Sequence, residues 1–305
     1  MKKWFDNPVL VSELKMRTRS WRTVFMMLGY LGIMLVITYL IFATNMQNFI
    51  NFEISRQIEI QLYMILALTQ FFLIIVLIPA QTAGAISGER ERQTLDLLLC
   101  TPLPPSSIVL GKMLSAMGFV LLLVISSIPL FSLVFLFGGV IAADIISLFA
   151  FYIITAFAVG SIGIFCSVMF KRTVTATVAA YISILALGII SVLLGVFMLV
   201  VFKNNNPNFS GTYIPFVFYL NPVVGLLDLL NSQLGDIGIG VLFSSSNSGQ
   251  ANGLGWLAQK IGMWGVNSLI MLAISAVLLA ISTWMIKPIK RIKRGSKNAL
   301  EKTNG

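Results

Sequence analysis

Residues 88–112 read GERERQTLDLLLCTPLPPSSIVLGK, and here a chain with only 10% charged residues sets Glu89, Arg90, Glu91 and Arg92 side by side. Such side chains can form ion pairs, present a docking surface or keep a loop in water. Catalysis with the usual partners is closed to them. The chain has no histidine, so neither a Ser/His/Asp set nor an HExxH zinc site can be assembled. Gly111-Lys112 is not part of a phosphate loop, because Ser106 stands where the first glycine belongs and Met113 where the hydroxyl belongs. Cys100 lies in a connecting segment and Cys166 in an apolar run, which argues against a disulfide, and the usual Cys/His metal sets are unavailable. The expectation is a chain with no catalytic, cofactor or metal site of its own.

The spacing predicts a helix over 89–100, with Leu95, Leu98 and Leu99 on one face and Arg92 one turn from Asp96. Thr101-Pro102 and Pro104-Pro105 stop it, and Ser106 or Ser107 is expected to cap the next helix. A solvated charge run is the plainer reading of 89–92, yet it leaves the leucine face and the rigid prolines unexplained. An apolar surface within polar surroundings points to docking. The candidate docking residues are Glu89, Arg90, Glu91, Arg92, Thr94, Leu95, Leu98, Thr101 and Pro102.

The elements that must position this stretch are membrane helices. Of the 305 residues 57% are hydrophobic, and the mean hydropathy is +0.92; a soluble domain carries about a quarter charged residues. Six apolar runs reach the roughly 20 residues needed to cross hydrocarbon: 24–43, 62–86, 113–137, 145–170, 174–202 and 263–286. None contains Asp, Glu, Lys or Arg. Lipid cannot satisfy backbone groups, and the alternation of barrel strands is absent, so the fold class is all-α. The first run is too long for a signal-peptide core and reads as a retained anchor. Pro79, Pro129, Gly160, Gly163, Gly188 and Gly195 within the runs read as ordinary kinking and close helix packing.

With the N-terminus inside, 18 of the 21 Lys and Arg residues fall on the inner side, and only Arg56, Lys203 and Lys260 outside. The positive-inside rule then places both termini and the 87–112 and 170–173 loops in the cytoplasm. The net charge of +10 therefore reports orientation, not nucleic-acid binding, and the basic tail 287–305 suits anionic headgroups. Residues 7–22 are expected to form an amphipathic interface helix, with Leu10, Leu14 and Trp21 on one face and Lys15, Arg19 and Arg22 on the other. In the outer region 203–262, Asn221 caps and Pro222 opens a helix too short to span, read as re-entrant or packed against the bundle. Residues 244–255 read as a flexible loop, and Asn208-Phe209-Ser210 matches the glycosylation triplet with nothing else to support its use.

No carboxylate, lysine or histidine lies in any run, so the usual proton relay of an ion-coupled transporter is missing. The 88–112 stretch resembles the segment between the second and third membrane helices of type-2, export-oriented ABC transporter permeases. The matching positions are Gly88, Glu89, Glu91, Thr94, Leu95, Leu98, Thr101, Pro102, Leu103, Gly111 and Lys112; Cys100 departs from the small polar residue common there. NPVLVSELKMRTRSWR is similar to the family's interface helix, and FYLNPVVGLLDLLN to its short outer helices. The resemblance implies a permease half that pairs with an identical or similar subunit. It also implies a cytoplasmic coupling helix and separate ATPase subunits, which bind ATP and Mg and dock under residues 89–105 and the N-terminal helix. A reading from another class is a membrane scaffold whose loop binds a non-ATPase partner. The substrate is left open, with a lean towards a peptide, drug or lipid-like molecule.

Overall fold

The computed structural model describes residues 21–45, 56–95, 104–136, 140–205, 216–235 and 261–286. Leu10, Leu14, Lys15, Arg19, Leu98, Cys100, Thr101 and Pro102 lie outside the described residues, as do the glycosylation triplet, the 244–255 loop and the basic tail.

The described residues are helical and contain no strand. In chain order the helices are α1 (Trp21–Thr44), α2 (Arg56–Thr82), α3 (Ser87–Glu91), α4 (Pro105–Ser126), α5 (Ile128–Leu136), α6 (Ala142–Met169) and α7 (Thr173–Asn205). A 3-10 turn (Phe216–Leu220), α8 (Pro222–Leu234) and α9 (Met263–Met285) follow. Six helical stretches are long and apolar enough to cross a membrane. The protein is therefore an all-helical, multi-pass membrane protein.

α6 is the central post, packed against α2, α4, α7 and α9. Its buried face carries Phe151, Tyr152, Thr155, Ala156, Val159 and Gly160, and the Tyr152 hydroxyl donates to the Ala67 carbonyl of α2 at 2.8 Å. Lipid removes the hydrophobic drive between helices, so close packing and such hydrogen bonds must hold the bundle. The approach is closest at Gly163, where an added Cβ would stand 2.0 Å from Thr82 Oγ1. At Gly195 it would enter the Phe218 ring, whereas Gly188 faces open space. Close packing thus explains two of these glycines but not Gly188, whose carbonyl instead accepts from Asn221 Nδ2 at 3.1 Å.

Two apolar runs are not single rods. The third is broken at Ser127 into α4 and α5, because Pro129 has no N–H to continue the ladder and its ring crowds the turn before it. At the break Val124 O accepts twice from Ser127, from the hydroxyl at 2.7 Å and from the N–H at 3.2 Å. An apolar cleft of about 260 Å³ opens beside the break, lined by Ile128, Phe131, Phe135, Ile145 and Ile146. The second run ends α2 at Thr82, turns, and resumes as the short α3.

The helix predicted over 89–100 is corrected: α3 stops at Glu91. A Schellman closure ends it, with the Thr94 N–H reaching Glu89 O at 2.9 Å and the Gln93 N–H reaching Arg90 O at 3.1 Å. Gln93 takes the left-handed conformation at φ 58°, and Leu95 is again helical. The reading of Arg92 one turn from Asp96 spans this turn, while Leu98 and Leu99 lie outside the described residues. Ser106 and Ser107 do not cap α4 either: Pro104 is the cap residue and Pro105 the first helical residue, a position that suits its fixed φ.

Asn221 does cap α8, accepting the Val223 N–H at 2.9 Å, and Pro222 opens the helix. α8 lies against α9 and α6. The Asp228 carboxylate on α8 accepts the Trp264 N–H at 2.9 Å, covering a free donor in the first turn of α9. Burial pushes the Asp228 carboxyl above its ordinary range, partly opposed by the Trp264 and Met263 N–H groups.

Candidate functional site

The candidate site is the connector between α2 and α4. Thr82 to Leu95 form its described first half, and Pro104 to Lys112 the return. Pro79 lies in the last turn of α2, and the chain leaves that helix at Thr82. α3 then runs across the corner where α6 ends and α7 begins.

Each charge of the quartet has a definite place. Glu89 Oε1 accepts from the Lys112 ammonium at 3.1 Å, and the side chains are 32% and 5% exposed respectively. The other Glu89 oxygen accepts from the Thr94 hydroxyl. Lys112 is one of the few charged groups in the interior, and a buried ammonium requires such a partner. This pair draws together the two ends of the connector.

Arg90 turns the other way. Its guanidinium donates to the Val168 carbonyl at 3.1 Å, among the last carbonyls of α6, which have no partner within that helix. Glu91 reaches the start of α7, where its carboxylate accepts from the Thr173 hydroxyl and from the Thr173 N–H at 3.3 Å. A cation at a helix C-terminus and an anion at a helix N-terminus both match the helix dipoles. Arg92 and Gln93 are exposed.

The backbone of the connector is anchored to α6 as well. Ser167 Oγ accepts the N–H groups of Ile86 at 2.8 Å and of Ser87 at 2.9 Å, and the Ser87 hydroxyl donates to Ala83 O at 2.8 Å. Ser167 and Ser87 are both buried. Leu95 is partly buried and packs against the main core, which leaves only part of its side chain to meet another protein.

Of the predicted docking residues, the structure brings Glu89, Arg90, Glu91, Arg92, Thr94 and Leu95 together at this corner. Trp21 is 77% exposed and opens α1, its ring 6.1 Å from that of Phe25; Arg22 follows it in the same turn. Sequence reasoning missed Ser167 and Thr173, which lie about 80 residues from their connector partners. It also missed the pairing of Lys112 with Glu89. The available signal was a lysine immediately before the apolar run 113–137, a charge that must find a partner if its helix is buried.

Polar side chains also lie deep in the bundle. The Tyr30 hydroxyl on α1 donates to Gln70 Oε1 on α2. On α9, Asn267 Nδ2 donates to Tyr219 O at 2.7 Å and to Asn221 O at 3.0 Å. A search for ionisable residues alone passes over these neutral amides.

A helical bundle with a charged connector clamped at one end defines, as a class, a multi-pass membrane protein. The chain is a member of the ABC-2 family transporter proteins, whose family model matches residues 8–287. Members of this family are transmembrane components of transporters. No curated protein matches the chain significantly.

Proposed function

We propose that the chain is the permease subunit of an ATP-driven exporter, with a separate ATPase seated on the connector and no nucleotide site of its own. The observation that carries this is the clamped connector: Glu89–Lys112 closes it, and Arg90 and Glu91 fasten it to the α6–α7 corner. A loop that only stayed in water would have no need of this anchorage. A loop that receives a push must pass it to the helices.

The Lys and Arg distribution supports a cytoplasmic connector and cytoplasmic termini in the cell membrane. Glu91, Arg92 and Gln93 are exposed; with Glu91 held on Thr173, Arg92 is the charged side chain offered to the ATPase, followed by the leucine- and proline-rich residues up to 105. α1 and α7 expose long apolar faces, including Leu35 and Tyr39 on the first and Ile182, Ile189 and Phe197 on the second. These faces suit lipid and a second permease subunit. The cleft beside α5 has an apolar lining, which fits a substrate with a lipid-like or otherwise greasy portion.

The test is purification of the full chain from its own membranes. A phosphate-loop ATPase is expected to co-purify with it and hydrolyse ATP, and Arg92→Glu is expected to lose most of that association while the permease stays folded. A wild-type preparation with no such ATPase sinks the reading. A soluble partner that hydrolyses no nucleotide would favour the scaffold instead.

A further inference from the structure

The alternation of charge along 89–92 has a counterpart in the corner beneath it. α6 ends in carbonyls, the negative end of its dipole, and α7 starts a few residues later with N–H groups, the positive end of its own. Arg90 lies on the first and Glu91 on the second. Adjacent residues of opposite charge thus meet adjacent helix ends of opposite polarity. Ser167 adds two hydrogen bonds to the connector backbone. Gly84 and Gly88 bring that backbone close to α7, since a Cβ on them would stand 3.4 and 3.5 Å from Thr173 Cγ2.

We infer that the Glu91–Thr173 contact is a positioning link that makes the connector and the α6–α7 corner one moving body, so that displacement of the connector is delivered to the N-terminus of α7. This rests on the permease reading, and it adds a second output to the connector beyond the α2 and α4 helices to which it is covalently joined. α7 has 33 residues and so extends about 50 Å. Few of its side chains are buried in the subunit. At its far half it holds Phe218 over Gly195 and Asn221 on Gly188 and Ser191. A push at Thr173 therefore has a rigid route to the segment that precedes α8.

The experiment uses the full chain with its co-purifying ATPase in lipid nanodiscs, in a background of Cys100→Ser and Cys166→Ala. One spin-label pair, Gln93→Cys with Lys171→Cys, reads the link itself. Another, Tyr39→Cys with Phe216→Cys, reads displacement of the far end of α7 against α1 between the nucleotide-free and vanadate-trapped states. In the otherwise unaltered chain the first distance is expected to be narrow and the same in both states, while the second changes on trapping. Thr173→Val removes the hydroxyl that Glu91 accepts from. It is expected to broaden the first distance and to remove most of the change in the second, with ATP hydrolysis retained. Thr173→Ser keeps the hydroxyl and is expected to restore both, and Glu91→Ala is expected to reproduce the broadening even in the isolated permease. Distances in Thr173→Val and Glu91→Ala that match the unaltered chain in both states overturn the inference and leave the permease reading standing. Failure of the unaltered complex to show any nucleotide-dependent change overturns both.

Discussion

Glu89 and Lys112 lose different things when the pair is broken, and the difference can be measured. The ammonium is 5% exposed and the carboxylate 32%. At the observed 3.1 Å, an effective dielectric of about 20 gives a gross attraction of about 5 kcal/mol. Partial hydration of Glu89 and the cost of burying Lys112 reduce the net value to about 1–3 kcal/mol, the range for hydrogen bonds to charged groups. Glu89→Gln keeps the side-chain shape and an acceptor but strands a positive charge in the interior. Lys112→Met strands a carboxylate that can still reach water. Glu89→Gln is therefore expected to be the more damaging, at about 2 kcal/mol, and adding Lys112→Met is expected to recover part of the loss. For large domains 1 kcal/mol corresponds to about 2–4 °C in Tm, so Glu89→Gln should lower the unfolding midpoint by about 4–8 °C. Tryptophan fluorescence during heating in nanodiscs reads this. A Lys112→Met variant at least as unstable as Glu89→Gln, or strictly additive effects in the double variant, would refute the reasoning.

Gly163→Ala places a methyl group 2.0 Å from Thr82 Oγ1; it is expected to cost about 1–3 kcal/mol by overpacking, and Thr82→Ala in the same chain should return part of that in thermal unfolding. Asp228 is held above its ordinary pKa by burial, so the fold binds its proton more tightly than the unfolded chain does. Its contribution is then most favourable at low pH and declines as pH rises from about 4 through the raised value. Asp228→Asn keeps an acceptor for Trp264, so the variant should match wild type in acid and gain on it towards neutrality, as measured by unfolding midpoints across pH.

The spans were legible because length and hydropathy are properties of a single segment, and a run such as 174–202 has no competing interpretation in lipid. The cap at Asn221 was legible for the same reason: an Asn-Pro pair acts on its own backbone. The connector was not. Leu95 keeps helical spacing with Leu98 and Leu99, and that period says nothing of a turn at Gln93, where Thr94 bonds back to Glu89. The partners that make the turn worthwhile, Ser167 and Thr173, arrive from distant helices. Pro129 was read as a kink within a span, and the break at Ser127 is the stronger version of that effect.

The Glu89–Lys112 pair has a consequence for how the chain can change. It ties the connector at its base, so the segment between is a loop on a closed stem. Lengthening such a loop is inexpensive, about 0.6 kcal/mol for each doubling. The tip can therefore be exchanged or extended to suit a different docking partner without repositioning α2 or α4. The stem makes the tip a replaceable cassette: a chimera that replaces only residues 96–103 should keep the thermal stability of the parent chain, whereas one that also replaces Glu89 or Lys112 should unfold at a lower temperature.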